Sequence, residues 1–119
     1  MTMMIMLTSL FSFYCLSQTK VEEGNATYYS KHCTSKTASG ERVHLEKMTC
    51  AHKTLPFGTL LRVTNKKNGK SVVVKVNDRG PFVKGRIVDL SWGAAKEIDM
   101  LKSGVVPVII EIITEKDIK

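Results

Sequence analysis

Two β-branched runs joined by one tight turn set the fold class of this chain. Thr59 to Thr64 alternates apolar and polar residues, and Ser71 to Val76 is almost continuously Val. The connection Asn65-Lys-Lys-Asn-Gly-Lys70 carries the Asn68-Gly69 pair that closes β-hairpins. Ala26 to Ser30, Ile87 to Leu90 and Val105 to Thr114 read as further strands. Ser91 to Ile98 has an N-capping Ser ahead of Ala-Ala-Lys-Glu and reads as one short helix. The pattern predicts a compact β-barrel with a helical turn. Lys31 to Met48 follows neither period and is too long for a simple turn, which makes it a candidate functional loop.

At 119 residues the chain has room for one small domain. Its 18 Lys and Arg against 11 Asp and Glu give a formal charge of +7, scattered in sequence rather than blocked. That suits an anionic polymer as a partner. A nucleic-acid binder is disfavoured, because no stacking-aromatic motif accompanies the basic residues. Met1 to Leu16 is apolar and uncharged but short for a membrane span, so residues 1–17 read as a secretory signal peptide, with Cys15 and Ser17 as the small residues before Gln18. Tyr14 before Cys15 argues against a lipid anchor there. Residues 18–23 then form a short linker, 24–114 the domain and 115–119 a tail.

Without the leader two cysteines remain, Cys33 and Cys50, and an even pair in a small exported domain predicts a disulfide. It would close a loop of roughly 18 residues and contribute about 3 kcal/mol. The cysteines and the three histidines lack the paired short spacings of a zinc site, and no metal is expected.

Chemistry is sought where polar residues interrupt apolar strands. Val72-Val-Val-Lys-Val-Asn-Asp-Arg-Gly-Pro-Phe82 runs a hydrophobic strand into Asn77, Asp78 and Arg79 and stops at Gly80-Pro81. A carboxylate at such a strand end, partly desolvated, is a candidate general acid; the alternative is that Asp78 pairs with Arg79 or caps the turn. Asp89 sits between apolar residues two positions before Ser91 and suits a structural hydrogen bond or a helix cap. Glu41 lies in the small-residue loop Thr37-Ala-Ser-Gly-Glu41, and His52 in Thr49-Cys-Ala-His-Lys-Thr-Leu-Pro56 is a candidate for orienting a sugar or a carboxylate.

These motifs, with Arg62-Val-Thr-Asn65, Asn68-Gly-Lys-Ser71 and Gly85-Arg-Ile-Val-Asp-Leu-Ser91, resemble the rare lipoprotein A family of septal lytic transglycosylases, from about Gly24 to Ile113. The resemblance implies an all-β fold, a six-stranded double-psi β-barrel of the expansin and barwin-like kind, acting on bacterial peptidoglycan. It maps catalytic roles onto Asp78, Glu41 and His52, and substrate contacts onto Arg79, Thr37, Lys53 and Tyr29. It implies cleavage of the β-1,4 bond between N-acetylmuramic acid and N-acetylglucosamine with a 1,6-anhydro product. The expected partner is the glycan strand, with no cofactor, no stable membrane span and a monomeric state, in the periplasm or outer envelope. A non-catalytic wall-binding domain and a secreted inhibitor barrel are the other classes such a barrel can serve.

Overall fold

The computed structural model describes residues 21–114 and Asp117. The expected leader, the Cys15 anchor question and most of the 115–119 tail lie outside the described residues. Six strands close a barrel: β1 Val21–Tyr28, β2 Thr49–Ala51, β3 Leu60–Asn65, β4 Ser71–Asp78, β5 Arg86–Leu90 and β6 Val106–Ile113, with helix α1 at Trp92–Glu97 between the last two. Around the barrel the order is β1-β5-β2-β4-β3-β6. Two neighbouring pairs are parallel, β1 with β5 and β2 with β4, and the other contacts are antiparallel. This is the expected six-stranded double-psi barrel, and its strand directions are mixed. No helix among the described residues is long and apolar enough to cross a membrane.

Period-two patterning places the core. In β3 the residues Leu61, Val63 and Asn65 are buried while their neighbours are half-exposed, and Val74, Val76, Val88, Leu90, Val106 and Val108 meet them inside. Each such aliphatic side chain contributes on the order of 1.5–3 kcal/mol by leaving water. Ala94, Ala95, Ile98 and Met100 pack from α1 and its exit against the same core. Ser91 caps the helix as expected, its Oγ accepting from Ala94 N at 3.2 Å. The β3–β4 hairpin forms with Gly69 at φ 76°, a conformation its missing Cβ permits.

Three features depart from the sequence reading. β1 takes in Val21, Glu22 and Glu23, residues assigned to a linker, because the chain first pairs antiparallel with β6, from Val21↔Glu111 to Ala26↔Val106, before its far end runs parallel to β5. β2 is a strand that local pattern does not reveal. The expected Cys33–Cys50 disulfide is absent: both are free thiols. Cys50 faces inward between Val76 and Leu90 and is fully buried, whereas Cys33 lies half-buried in the outer loop with its Sγ 3.4 Å from Ser35 Oγ. The 31–48 loop is pinned instead by backbone bonds, Val43 N to Ser35 O at 2.9 Å, Thr37 N to Glu41 O at 2.7 Å and Gly93 N to Leu45 O at 2.8 Å.

Candidate active site

β2 is only three residues long, yet it carries the geometry of the site. Ala51 pairs with Asp78 of β4 on one side and with Asp89 of β5 on the other. Residues paired across a sheet share a face, so the two carboxylates flank a floor made by one methyl group. Cys50 and its partners point into the core, so this rung faces out of the barrel.

Asp78 is fixed by three donors from three segments. Tyr29 Oη donates to Oδ2 at 2.5 Å, while Ala38 N at 2.8 Å and Arg79 N at 2.9 Å donate to Oδ1. The loop that carries Glu41 is therefore tied to Asp78 directly, and again through Ser39 N to Asn77 O at 3.2 Å. Thr37 is buried and shapes that loop, its Oγ1 donating to Glu41 O at 2.9 Å. Glu41 itself is exposed, with Oε1 3.4 Å from Ser39 Oγ, and lines a polar cavity of about 260 Å³ with Asn77 and Lys75.

Arg79 does not pair with the Asp78 carboxylate through its guanidinium. Its Nη1 donates to the carbonyls of Leu55 at 2.8 Å and His52 at 3.3 Å, and the group lies 4.1 Å from the Phe57 ring centroid. That holds the 52–57 segment against the strand end. The His52 ring is likewise committed elsewhere. Nδ1 accepts from Thr54 N and Leu55 N, both at 3.2 Å, which leaves the proton on Nε2 to be donated to Glu22 Oε1 at 3.0 Å. His52 meets Asp78 through backbone only, its N–H donating to the Asp78 carbonyl at 3.1 Å. Its ring, with Lys53 and Glu22, borders a groove of about 400 Å³ whose apolar wall includes Ile87 and Ile110.

Tyr29 and the loop that carries Thr37 and Glu41 thus meet at Asp78, the loop through its Ala38 backbone, whereas the His52 and Lys53 side chains open on another cavity. Asp89 accepts from Thr27 Oγ1 at 2.8 Å, the structural bond expected of it. Burial raises its pKa, against the downward pull of the Thr27 bond and of Arg86. Burial, the bond to Asp78 and the charges of Asp78 and Asp89 push the Tyr29 phenol well above its usual range, so it stays a donor. Sequence reasoning missed Glu22 as the partner of His52 and Ala38 as a donor to Asp78; neither has a local signature, since each meets its partner across a long stretch of chain.

A family model described as "Lytic transglycolase" matches residues 21–110. Curated relatives are a probable endolytic peptidoglycan transglycosylase RlpA of Nostoc, 53% identical over 94 residues that make up 76% of this chain and 25% of that protein. The endolytic peptidoglycan transglycosylases RlpA of Campylobacter jejuni and Vibrio cholerae are 51% and 50% identical, over 76% and 78% of this chain and 34% and 36% of theirs. The chain therefore spans about a quarter to a third of the length of these relatives. Among solved structures, a Streptomyces papain inhibitor superposes with TM-score 0.66 at 23% identity over 80% of this chain and 96% of that one. A Clavibacter michiganensis expansin does so with TM-score 0.63 at 25% identity over 81% of this chain and 52% of that one.

Proposed function

Given that the chain belongs to the lytic transglycolase family of double-psi barrels, we propose that it is an endolytic peptidoglycan transglycosylase. The observation that carries this reading is the Asp78 carboxylate, held by Tyr29, Ala38 and Arg79 donors on an outward face beside the Glu41 loop. A group delivering a proton must be positioned before it is acidic enough to matter, and three donors from separate segments fix both carboxylate oxygens.

Asp78, protonated, donates to the glycosidic oxygen as the C1–O bond of the muramoyl residue breaks. The C6 hydroxyl of the same residue forms the new C1–O bond, and its proton passes to the carboxylate that Asp78 has become. The product is a 1,6-anhydro end, no water is consumed, and Asp78 is reprotonated. A single carboxylate can serve both transfers, unlike an inverting glycosidase, whose second carboxylate activates water roughly 6.5–9.5 Å away. Glu41 stabilises positive charge developing at C1. Tyr29 and Thr37 hold the catalytic loop and strand end, and Arg79, Lys53 and the His52 ring act around them as positioning and binding groups.

The chain works outside the cytoplasm, in the periplasm or outer envelope of a bacterium, as a monomer on glycan strands. Its +7 charge favours encounter with an anionic wall. The expansin likeness supports a second reading, a barrel that binds wall polysaccharide without cutting it. Incubation with purified sacculi decides between the two. Soluble products with 1,6-anhydro-muramoyl ends are expected, and lost on Asp78→Asn; binding without such products would assign the chain to the second class.

A further inference from the structure

Asn77 stands out among the buried polar residues. It is 3% exposed, and its Oδ1 is buried with no hydrogen-bond partner among the described residues. A buried acceptor left without a donor costs free energy, and such a group calls for a specific reason. Asn77 is also the extra residue of a bulge: Cys50 pairs with Val76 and Ala51 with Asp78, so Asn77 has no opposite number in β2. Bulges re-aim side chains next to functional sites.

The cavity that Asn77 lines, about 260 Å³, lies between loop residues Glu41, Arg42 and Lys47 and strand residues Thr49 and Lys75. It neighbours the proposed acid along the same strand. Thr49 pairs with Lys75 and Ala51 with Asp78, so the cavity begins one outward-facing rung before the Asp78 rung, a step of about 7 Å. A sugar chain with its scissile bond at Asp78 places the substituents of an adjoining ring there.

The chemistry of the cavity narrows what enters. An orphan oxygen needs a group that brings an N–H or O–H, which excludes a bare carboxylate, despite the surrounding cations. A primary amide pairs best with another amide, since each offers one carbonyl and one N–H. Oδ1 is occluded at rest, and a turn about the broad terminal torsion of Asn77, which exchanges the two ends of its amide, brings that oxygen to an incoming group. Peptidoglycan sugars carry a 2-acetamido group, and cellulose carries a hydroxyl at that position. Resting on the glycan reading above, we propose that Asn77 is a specificity residue whose side-chain amide reads the 2-acetamido group of a sugar bound beside the scissile bond.

The test uses the full chain and three hexasaccharides: chitohexaose with acetamido groups, its fully de-N-acetylated counterpart, and cellohexaose. Calorimetry is expected to give chitohexaose at least ~10-fold tighter binding than cellohexaose. In Asn77→Ala that ratio falls to within about threefold, while cellohexaose affinity is unchanged and the melting temperature holds, because an unpaired buried polar group has been removed. In 15N spectra the Asn77 side-chain amide should shift with chitohexaose and stay in place with the other two. Equal binding of chitohexaose and cellohexaose by wild type, no binding of either, or a ratio unchanged in Asn77→Ala would overturn the proposal and point to a water in that cavity. A wild type that discriminates by acetamido yet releases no anhydro ends from sacculi would sink the transglycosylase reading alone. Turnover that survives in Asn77→Ala with selectivity intact would sink this one alone.

Discussion

The Tyr29 hydroxyl donates a 2.5 Å hydrogen bond to Asp78 Oδ2 across 49 positions of sequence, joining the end of the first strand to the end of the fourth. Because the phenol is held as a donor, it fixes Oδ2 while Ala38 N and Arg79 N hold Oδ1. Tyr29→Phe removes the donor and keeps the ring. Turnover on sacculi should fall by about 10- to 100-fold, the range for a hydrogen bond to a charged group, with kcat falling more than KM rises. An unchanged kcat would remove Tyr29 from the mechanism.

Asp78 and Arg79 are adjacent yet do different things, and their variants should separate. Asp78→Asn removes the transferable proton and should lower turnover by about 100- to 10,000-fold with little loss of stability. Arg79→Ala severs the bonds to His52 O and Leu55 O and the stack on Phe57. It should cost about 1–3 kcal/mol in unfolding free energy. Matching losses of stability in both variants would mean that Asp78 is architectural.

The barrel was readable because its hairpin and long strands advertise themselves: Asn68-Gly69 closes β3 onto β4, and Val and Ile mark β4 and β6. β2 was not, since Thr49-Cys-Ala is extended only because β4 and β5 flank it. Cys50 suggested half of a disulfide by even count, yet it behaves as a small apolar residue in the core. Asp78 was legible as a carboxylate where a Val-rich strand stops. The commitment of His52 to Glu22 was not, because Glu22 lies 30 positions away in a stretch whose polar residues gave no sign of a strand.

Gly93 should resist the substitution that usually stabilises a helix. Ala in place of Gly gains about 1 kcal/mol in a helix interior. Here a Cβ would sit 2.9 Å from Leu45 O and 3.2 Å from Glu46 Cα, both backbone atoms of the loop that carries Glu41. Gly93→Ala should therefore destabilise by about 1–3 kcal/mol and also reduce turnover by displacing that loop. A higher melting temperature would refute the close approach.

The two thiols should report their environments. Under native conditions a disulfide-exchange reagent should titrate Cys33 promptly and Cys50 only on unfolding, since burial and the charge of Asp89 push the Cys50 thiol far above its usual range. Intact mass should match the fully reduced chain. A two-proton deficit in freshly isolated protein would restore the disulfide that the geometry omits.

Asp89 gives a pH signature with a definite sign. Burial lifts its pKa above the ordinary 3.8. A carboxyl that holds its proton more tightly in the folded state than in the unfolded chain adds stability at low pH, and that stability is lost as pH rises from the unfolded value through the raised folded one. Asp89→Asn keeps an oxygen to accept the Thr27 hydroxyl and carries no charge at any pH. The variant should melt above wild type at pH 7, with the gap closing on acidification and gone by about pH 3, where wild-type Asp89 is neutral in both states. Thermal unfolding across that range checks it. A gap independent of pH, or a variant less stable at pH 7, would show that the ionised Asp89 is a net stabilising group in the folded barrel.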